Sequence, residues 1–395
     1  MRTRSQHFFH RTSLCVCVAL LLGAAAGRGQ TAAPPDSRQT ALVLEQQGDN
    51  AGAESTWQSY LRSHPSSAEA YAHLGLLAAR QERYKDAIGF YRKALALHSA
   101  APGLHLDLGL ALFKDGQMQQ ASEQFLPLLK ATPVSSPDRQ RLAILVGMSY
   151  YGSGEYAKAA PYLKEAADRD GQNLPLRLAL AHSYLWSRQY QHVLDVYHEI
   201  LALNAASAEA DMLAGEALDE LKDSTGAIQQ FRAAALADPR MPDVHFGLGY
   251  LYWTKRRYPE AIPEFQAELD NNPGHAQALA YLADCHVMLS QPDAARPLLE
   301  KAIAIDPRIE LAHLDLGAID ADAGLRDDAL RELTAAAKLA PNDVNVHWRL
   351  GRLYRAEGKN AEAKAEFDKA KSITQAADAA LIDKLTPPQP AQGSK

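Results

Sequence analysis

Small and large apolar residues return along the chain in a fixed order. Ala41, Gly75, Gly109, Gly147, Ala181, Gly215, Gly249, Ala283, Gly317 and Gly351 stand 34 residues apart, with a single interval of 38. Twelve residues after each comes a second small column: Ala53, Ala87, Ala121, Ala159, Val193, Ala227, Ala261, Ala295, Ala329 and Ala363. Four residues further lies a bulky column of Trp57, Tyr91, Phe125, Leu163, Tyr197, Phe231, Phe265, Leu299, Leu333 and Phe367. Stripes such as Leu248, Gly249 and Tyr252 have the spacing of one helix face, so each unit predicts two amphipathic helices. Alanine and leucine dominate, and no stretch alternates as a strand would, which predicts an all-α chain.

The columns have a physical reading. Two antiparallel helices approach closely only where side chains are small, and a bulky residue one turn later fills the adjoining gap. Pro65, Pro133, Pro239, Pro273, Pro307 and Pro341 fall where a unit must end, because proline lacks the N–H that a continuing helix needs. This 34-residue pattern resembles the tetratricopeptide repeat family over residues 34–375, best in the stretch Pro242 to Pro273. The resemblance implies a right-handed superhelical α-solenoid of about ten helix-turn-helix repeats, with the first helix of each repeat lining a concave groove.

Some units depart from the pattern. Ser99, Gly171, Ala205 and Gln375 replace the closing proline, and four extra residues around Val134-Ser135-Ser136-Pro137-Asp138 either bend the solenoid or lengthen a loop, the loop being favoured. Residues 37–375 are read as the solenoid. Ala377, Leu381, Ile382 and Leu385 predict a capping helix over 376–385, and the proline-rich residues 386–395 a disordered tail.

Candidate chemistry is sparse. His105, His245, His313 and His347 share one slot near the start of a first helix, three residues before Leu108, Leu248, Leu316 and Leu350, which marks them as packing residues rather than ligands. Asp320, Asp322, Asp327 and Asp328 surround Gly324, but the glycine is one place early for a calcium loop and Arg331 stands where a bidentate glutamate belongs. No His-Glu-x-x-His, nucleophile elbow or phosphate loop occurs. Neither enzyme activity, cofactor nor metal is expected.

The inner slots of the first helices are more informative. They hold Leu106, Leu110 and Phe113 in the third repeat, Ile144, Met148 and Tyr151 in the fourth, and Leu185 with adjacent Trp186 in the fifth. Glu216 and Asp219 follow in the sixth, Phe246, Tyr250 and Trp253 in the seventh, Asp284 in the eighth and Trp348 in the tenth. An apolar strip of this kind, with an acidic band in mid-array, suits a protein or peptide partner; packing between neighbouring first helices is the competing reading. The asparagine and lysine that the family uses to clamp acidic C-termini are missing from these slots.

Charge and the N-terminus complete the picture. The net charge is -6, with acids and bases interspersed, so nucleic acid is not expected as a partner. Arg2, Arg4 and Arg11, the apolar run Leu14 to Leu22 and the small residues Gly23 to Ala26 have the order of a secretory signal. Residues 1–26 are read as that signal and 27–36 as a flexible lead-in. Export to the periplasm or beyond follows, with no membrane span once the signal is removed and Cys285 as the one remaining cysteine. The resulting expectation is a non-catalytic protein-binding scaffold of the cell envelope. Its alternatives are a glycan-handling accessory protein or a self-assembling structural solenoid.

Overall fold

The computed structural model describes residues 36–97 and 103–385. The signal, all of the lead-in but Asp36, Ser99 and the tail over 386–395 lie outside the described residues. Twenty α-helices and no strand occur among them, an all-α repeat solenoid. The chain forms two compact units, Met1–Leu104 and His105–Lys395. The first holds the hairpins α1 (Ser37–Gln47) with α2 (Asn50–Ser63) and α3 (Ala68–Arg80) with α4 (Tyr84–Ala96).

Eight hairpins follow. They are α5 (Leu104–Lys114), which begins at the boundary residue, with α6 (Met118–Ala131); α7 (Pro137–Gly152) with α8 (Tyr156–Arg169); α9 (Leu174–Trp186) with α10 (Tyr190–Leu203); and α11 (Ala208–Glu220) with α12 (Ser224–Ala237). Then come α13 (Val244–Thr254) with α14 (Tyr258–Asn271), α15 (Ala276–Met288) with α16 (Pro292–Ile305), α17 (Glu310–Asp322) with α18 (Arg326–Leu339), and α19 (Val344–Ala356) with α20 (Asn360–Leu385). The odd-numbered helices are the first helices of the ten repeats.

The three columns form the hairpin cores. A Cβ added to Gly249 would come within 2.9 Å of the Phe265 ring, and at Gly75, Gly109 and Gly351 it would meet Tyr91, Phe125 and Phe367 at 2.6, 2.5 and 2.6 Å. The first small column is thus the place where the second helix lays its large side chain across the first. Phe265, Phe125 and Trp57 are fully buried there. Each such ring contributes roughly 1.5–3 kcal/mol of burial energy.

Local chemistry sets the helix ends. Asp49, Ser67, Asn173 and Asp223 accept backbone N–H groups from the first turns of α2, α3, α9 and α12 at 2.9, 3.2, 3.1 and 3.0 Å. The turn within each hairpin uses one left-handed residue, always at the same place in the repeat. Gly48, Gly116, Gly154, Gly324 and Gly358 fill it in five repeats, and Glu82, Arg188, Lys222, Arg256 and Ser290 adopt the same conformation in the others.

Two boundaries differ from the sequence reading. The four-residue insertion is mostly helix: α7 has 16 residues where α9 has 13, because Ser136 caps it early and Pro137 occupies its first position. No separate capping helix forms over 376–385. Those residues continue α20, a single helix of 26 residues.

Candidate functional site

Within each unit, neighbouring first helices meet in a register of 31 residues. In the second unit Tyr250 meets Tyr281 edge-on at 5.4 Å between ring centres, the Trp253 indole N–H donates to Asp284, and Asp284 in turn hydrogen-bonds Asp315. Tyr151 approaches His182 at 6.5 Å by the same rule. In the first unit the Arg38 guanidinium binds Glu69 at 2.5 Å.

The expected site residues lie at different depths. Leu106, Leu110, Phe113, Ile144 and Met148 are half-buried along α5 and α7. Phe246, Tyr250 and Trp253 are half-buried too, with Tyr281 of α15 against all three rings at 5.9, 5.4 and 4.8 Å. Leu185 is buried, whereas Trp186 beside it is 47% exposed. Trp348, 51% exposed, leans on Phe367 at 5.0 Å and has no ring contact with the other site residues.

Trp186 belongs to an aromatic group that gathers at the turn ends of α7 and α9. Its ring lies 4.5 Å from Tyr156, 4.9 Å from His182 and 6.0 Å from Tyr151. Burial pushes the Tyr151 hydroxyl up to about 12, so it stays a neutral donor or acceptor at physiological pH. His182 Nε2 binds Glu209 at 2.9 Å, while its buried Nδ1 has no hydrogen-bond partner.

The acidic band follows. Glu216 has no hydrogen-bond or ion-pair partner among the described residues. Burial raises its carboxyl to about 7, with nearby His182 opposing the shift and Asp243 and Glu220 adding to it. Asp219 is also raised by burial, against the pull of Lys222 and Lys255. Deeper in, burial and the neighbouring Asp284 carboxylate hold Asp315 well above its ordinary range, so the pair shares one proton. Asp315 Oδ2 and Glu310 Oε1 are buried without a hydrogen-bond partner.

Asp243, Glu268 and His275 place three potential ligand atoms within 4.8 Å of one another. Each already has a structural task. His275 Nδ1 accepts the Ala278 N–H at 3.1 Å, capping α15, which leaves the proton on Nε2, 3.1 Å from Asp243. Glu268 caps α13 by accepting the Phe246 N–H at 3.2 Å. Ligation through His275 Nε2 would require the cap to be given up, so the triad reads as a tie between repeats.

The shared histidine slot has a purpose that sequence alone left open. His245, His313 and His347 bind Glu264, Glu332 and Glu366, 19 residues on, at 2.8, 2.7 and 2.6 Å. These pairs tie the two helices of a hairpin. His313 and His347 are buried as expected, whereas His105 is exposed and pairs with Gln124 at 2.9 Å. Tyr281, His182 and Asp315 also shape the inner face, and the 31-residue register is what points to them; Tyr156, on α8, joins them through its contacts with Tyr151 and Trp186.

Helix hairpins built on the same small and bulky columns, with neighbouring first helices in one register, define a helical-repeat protein. Tetratricopeptide repeat models match residues 38–102, 223–276, 246–308 and 314–380, and a second one matches 76–143. The chain belongs to the tetratricopeptide repeat family, whose members generally mediate protein–protein interactions and are typically non-catalytic scaffolds. It is 22% identical over 344 residues to anaphase-promoting complex subunit 3 of Schizosaccharomyces pombe, covering 84% of this chain and 50% of that one. It is 24% identical over 357 residues to a DnaJ homolog subfamily C member 7 homolog of the same organism, at 80% and 72% coverage. A tetratricopeptide repeat protein of Parabacteroides merdae aligns with a TM-score of 0.47 at 16% identity, covering 68% of this chain and 97% of that one. The chain spans about half the length of most of the first curated relatives it matches.

Proposed function

We propose that the protein is an envelope scaffold that holds a polypeptide segment against the inner face of the first helices of its second unit. The observation that carries this reading is Trp186. A tryptophan 47% exposed, seated on Tyr151, Tyr156 and His182, gives a rigid apolar anchor on a face that is otherwise half-covered. Leu106, Leu110, Phe113, Ile144 and Met148 extend the apolar surface from Trp186 toward α5. Tyr250 and Trp253 extend it toward α15, where they also hold neighbouring helices together.

Export rests on the leader at residues 1–26. Fractionation of cells that carry the full chain, or a version lacking residues 1–26, tests the compartment. Export of both forms alike would remove the leader from the account. Replacement of Trp186 by alanine tests the face, because this half-exposed side chain can be lost with little effect on folding. Partner retention is expected to fall at least tenfold, the effect of one buried aromatic anchor. Full retention by the folded variant would move the site elsewhere.

A further inference from the structure

We propose that the segment held on this face is basic, with Lys or Arg side chains set among apolar residues. The inference rests on the inner face being the binding surface, and names the chemistry of what it takes. Its basis is a shortage of donors. Glu216 lacks any hydrogen-bond or ion-pair partner among the described residues, and the acids Asp243 and Glu220 act on it from nearby. Asp315, 4% exposed, keeps Oδ2 without a donor although it shares a proton with Asp284. Glu310 Oε1 and His182 Nδ1 are left in the same condition.

Glu216, unpartnered but not sealed from solvent, is the acceptor that a bound donor can reach and relieve, whereas the sealed Asp315 Oδ2 is not reached by a partner and adds only to the acidity of the band. Bases of the chain itself do not relieve it. Arg349 acts on Asp284 and Asp315, and Lys222 and Lys255 on Asp219, yet none forms an ion pair with these acids. Ammonium and guanidinium groups offer donors and positive charge together. The aromatic rings beside the acids add a second attraction for the same groups: Tyr250 stands next to Asp219, and the Trp253 indole meets Asp284. A segment with basic residues flanked by apolar ones satisfies both features at once. An acidic segment would meet repulsion along the whole band.

A display library of short random peptides, panned on the folded full chain, tests the idea. The retained pool is expected to be enriched in Lys or Arg next to Trp, Phe or Leu. Individual peptides from it should bind Glu216→Gln about tenfold more weakly, the loss of one charge-assisted contact. Asp315→Asn serves as a second variant, with circular dichroism to confirm that each is folded. Retention of apolar peptides with no basic enrichment, or equal binding of basic peptides by Glu216→Gln and Asp315→Asn, overturns the basic partner while leaving the binding face intact. Retention of no peptide by the unmodified chain overturns both.

Discussion

Gly249 lies directly beneath the Phe265 ring, so close that a Cβ at this position would come within 2.9 Å of the ring carbons. The contact fixes the distance between α13 and α14, and its counterparts recur through the array. Gly249→Ala is expected to destabilise the chain by about 1–3 kcal/mol through overpacking, and Phe265→Ala by about 3–5 kcal/mol through the cavity it leaves. Thermal and urea unfolding of the two variants measures both effects. A neutral Gly249→Ala would mean that the helices can part without loss.

The hairpin turns make a paired prediction. Arg256 and Gly324 hold the same left-handed place in their repeats, at φ of 57° and 78°. Arg256→Gly should stabilise the chain by about 0.5–1 kcal/mol, relief of backbone strain outweighing the added freedom of the unfolded chain, and Gly324→Ala should cost about 1 kcal/mol. Opposite signs in denaturant unfolding support the shared slot, and equal signs contradict it.

Glu216 gives the fold a pH dependence of definite sign. Burial raises its folded-state pKa to about 7, above the value in the unfolded chain. Its protonated form is favoured in the fold, so its contribution is fully present below the unfolded value near 4.5 and fades as pH rises through about 7. Glu216→Gln should therefore remove about 1–3 kcal/mol of the stability lost between pH 5 and 8. Unfolding titrations of both chains across that range check this. Parallel pH profiles would show that the carboxylate is well solvated.

Cys285 is buried in α15, and burial pushes its thiol up to about 12. Native protein at pH 8 should react with a disulfide reagent far more slowly than unfolded protein, at a rate set by opening of the eighth repeat. Reaction at the unfolded rate would show that this part of the array is open.

Much of the fold was legible because the contact that builds a hairpin needs particular residue sizes. Glycine lies under Phe265 at position 249 and alanine holds the same place of the repeat at position 283, so the columns show in the sequence. The left-handed turn was not legible, since Glu82, Arg188, Lys222, Arg256 and Ser290 adopt it without the glycine that would announce it. The 31-residue register was hidden for a related reason. It runs three residues short of the 34-residue period and joins unlike partners, Trp253 to Asp284 and Tyr151 to His182, as readily as like ones, Tyr250 to Tyr281, so no single column of similar residues marks it. The contacts of an inner-slot residue depend on that register. Tyr250 and Trp253 have the same inner-slot spacing as Leu110 and Phe113, but Tyr281 and Asp284 reach across to them. The same blindness to neighbours explains why Glu216 could be placed in an acidic band from sequence, but not recognised as a carboxylate without a partner.

Site-specific photo-crosslinking tests the central claim most directly. A photoreactive side chain is placed at Trp186 or Asp219 on the inner face, and at Leu236, 88% exposed on the second helix α12, as the control. Irradiation in cells that make the full chain should give a discrete polypeptide adduct from positions 186 and 219 and none from 236. Adducts from position 236 alone, or equal adducts from all three, would contradict a binding site on the first helices.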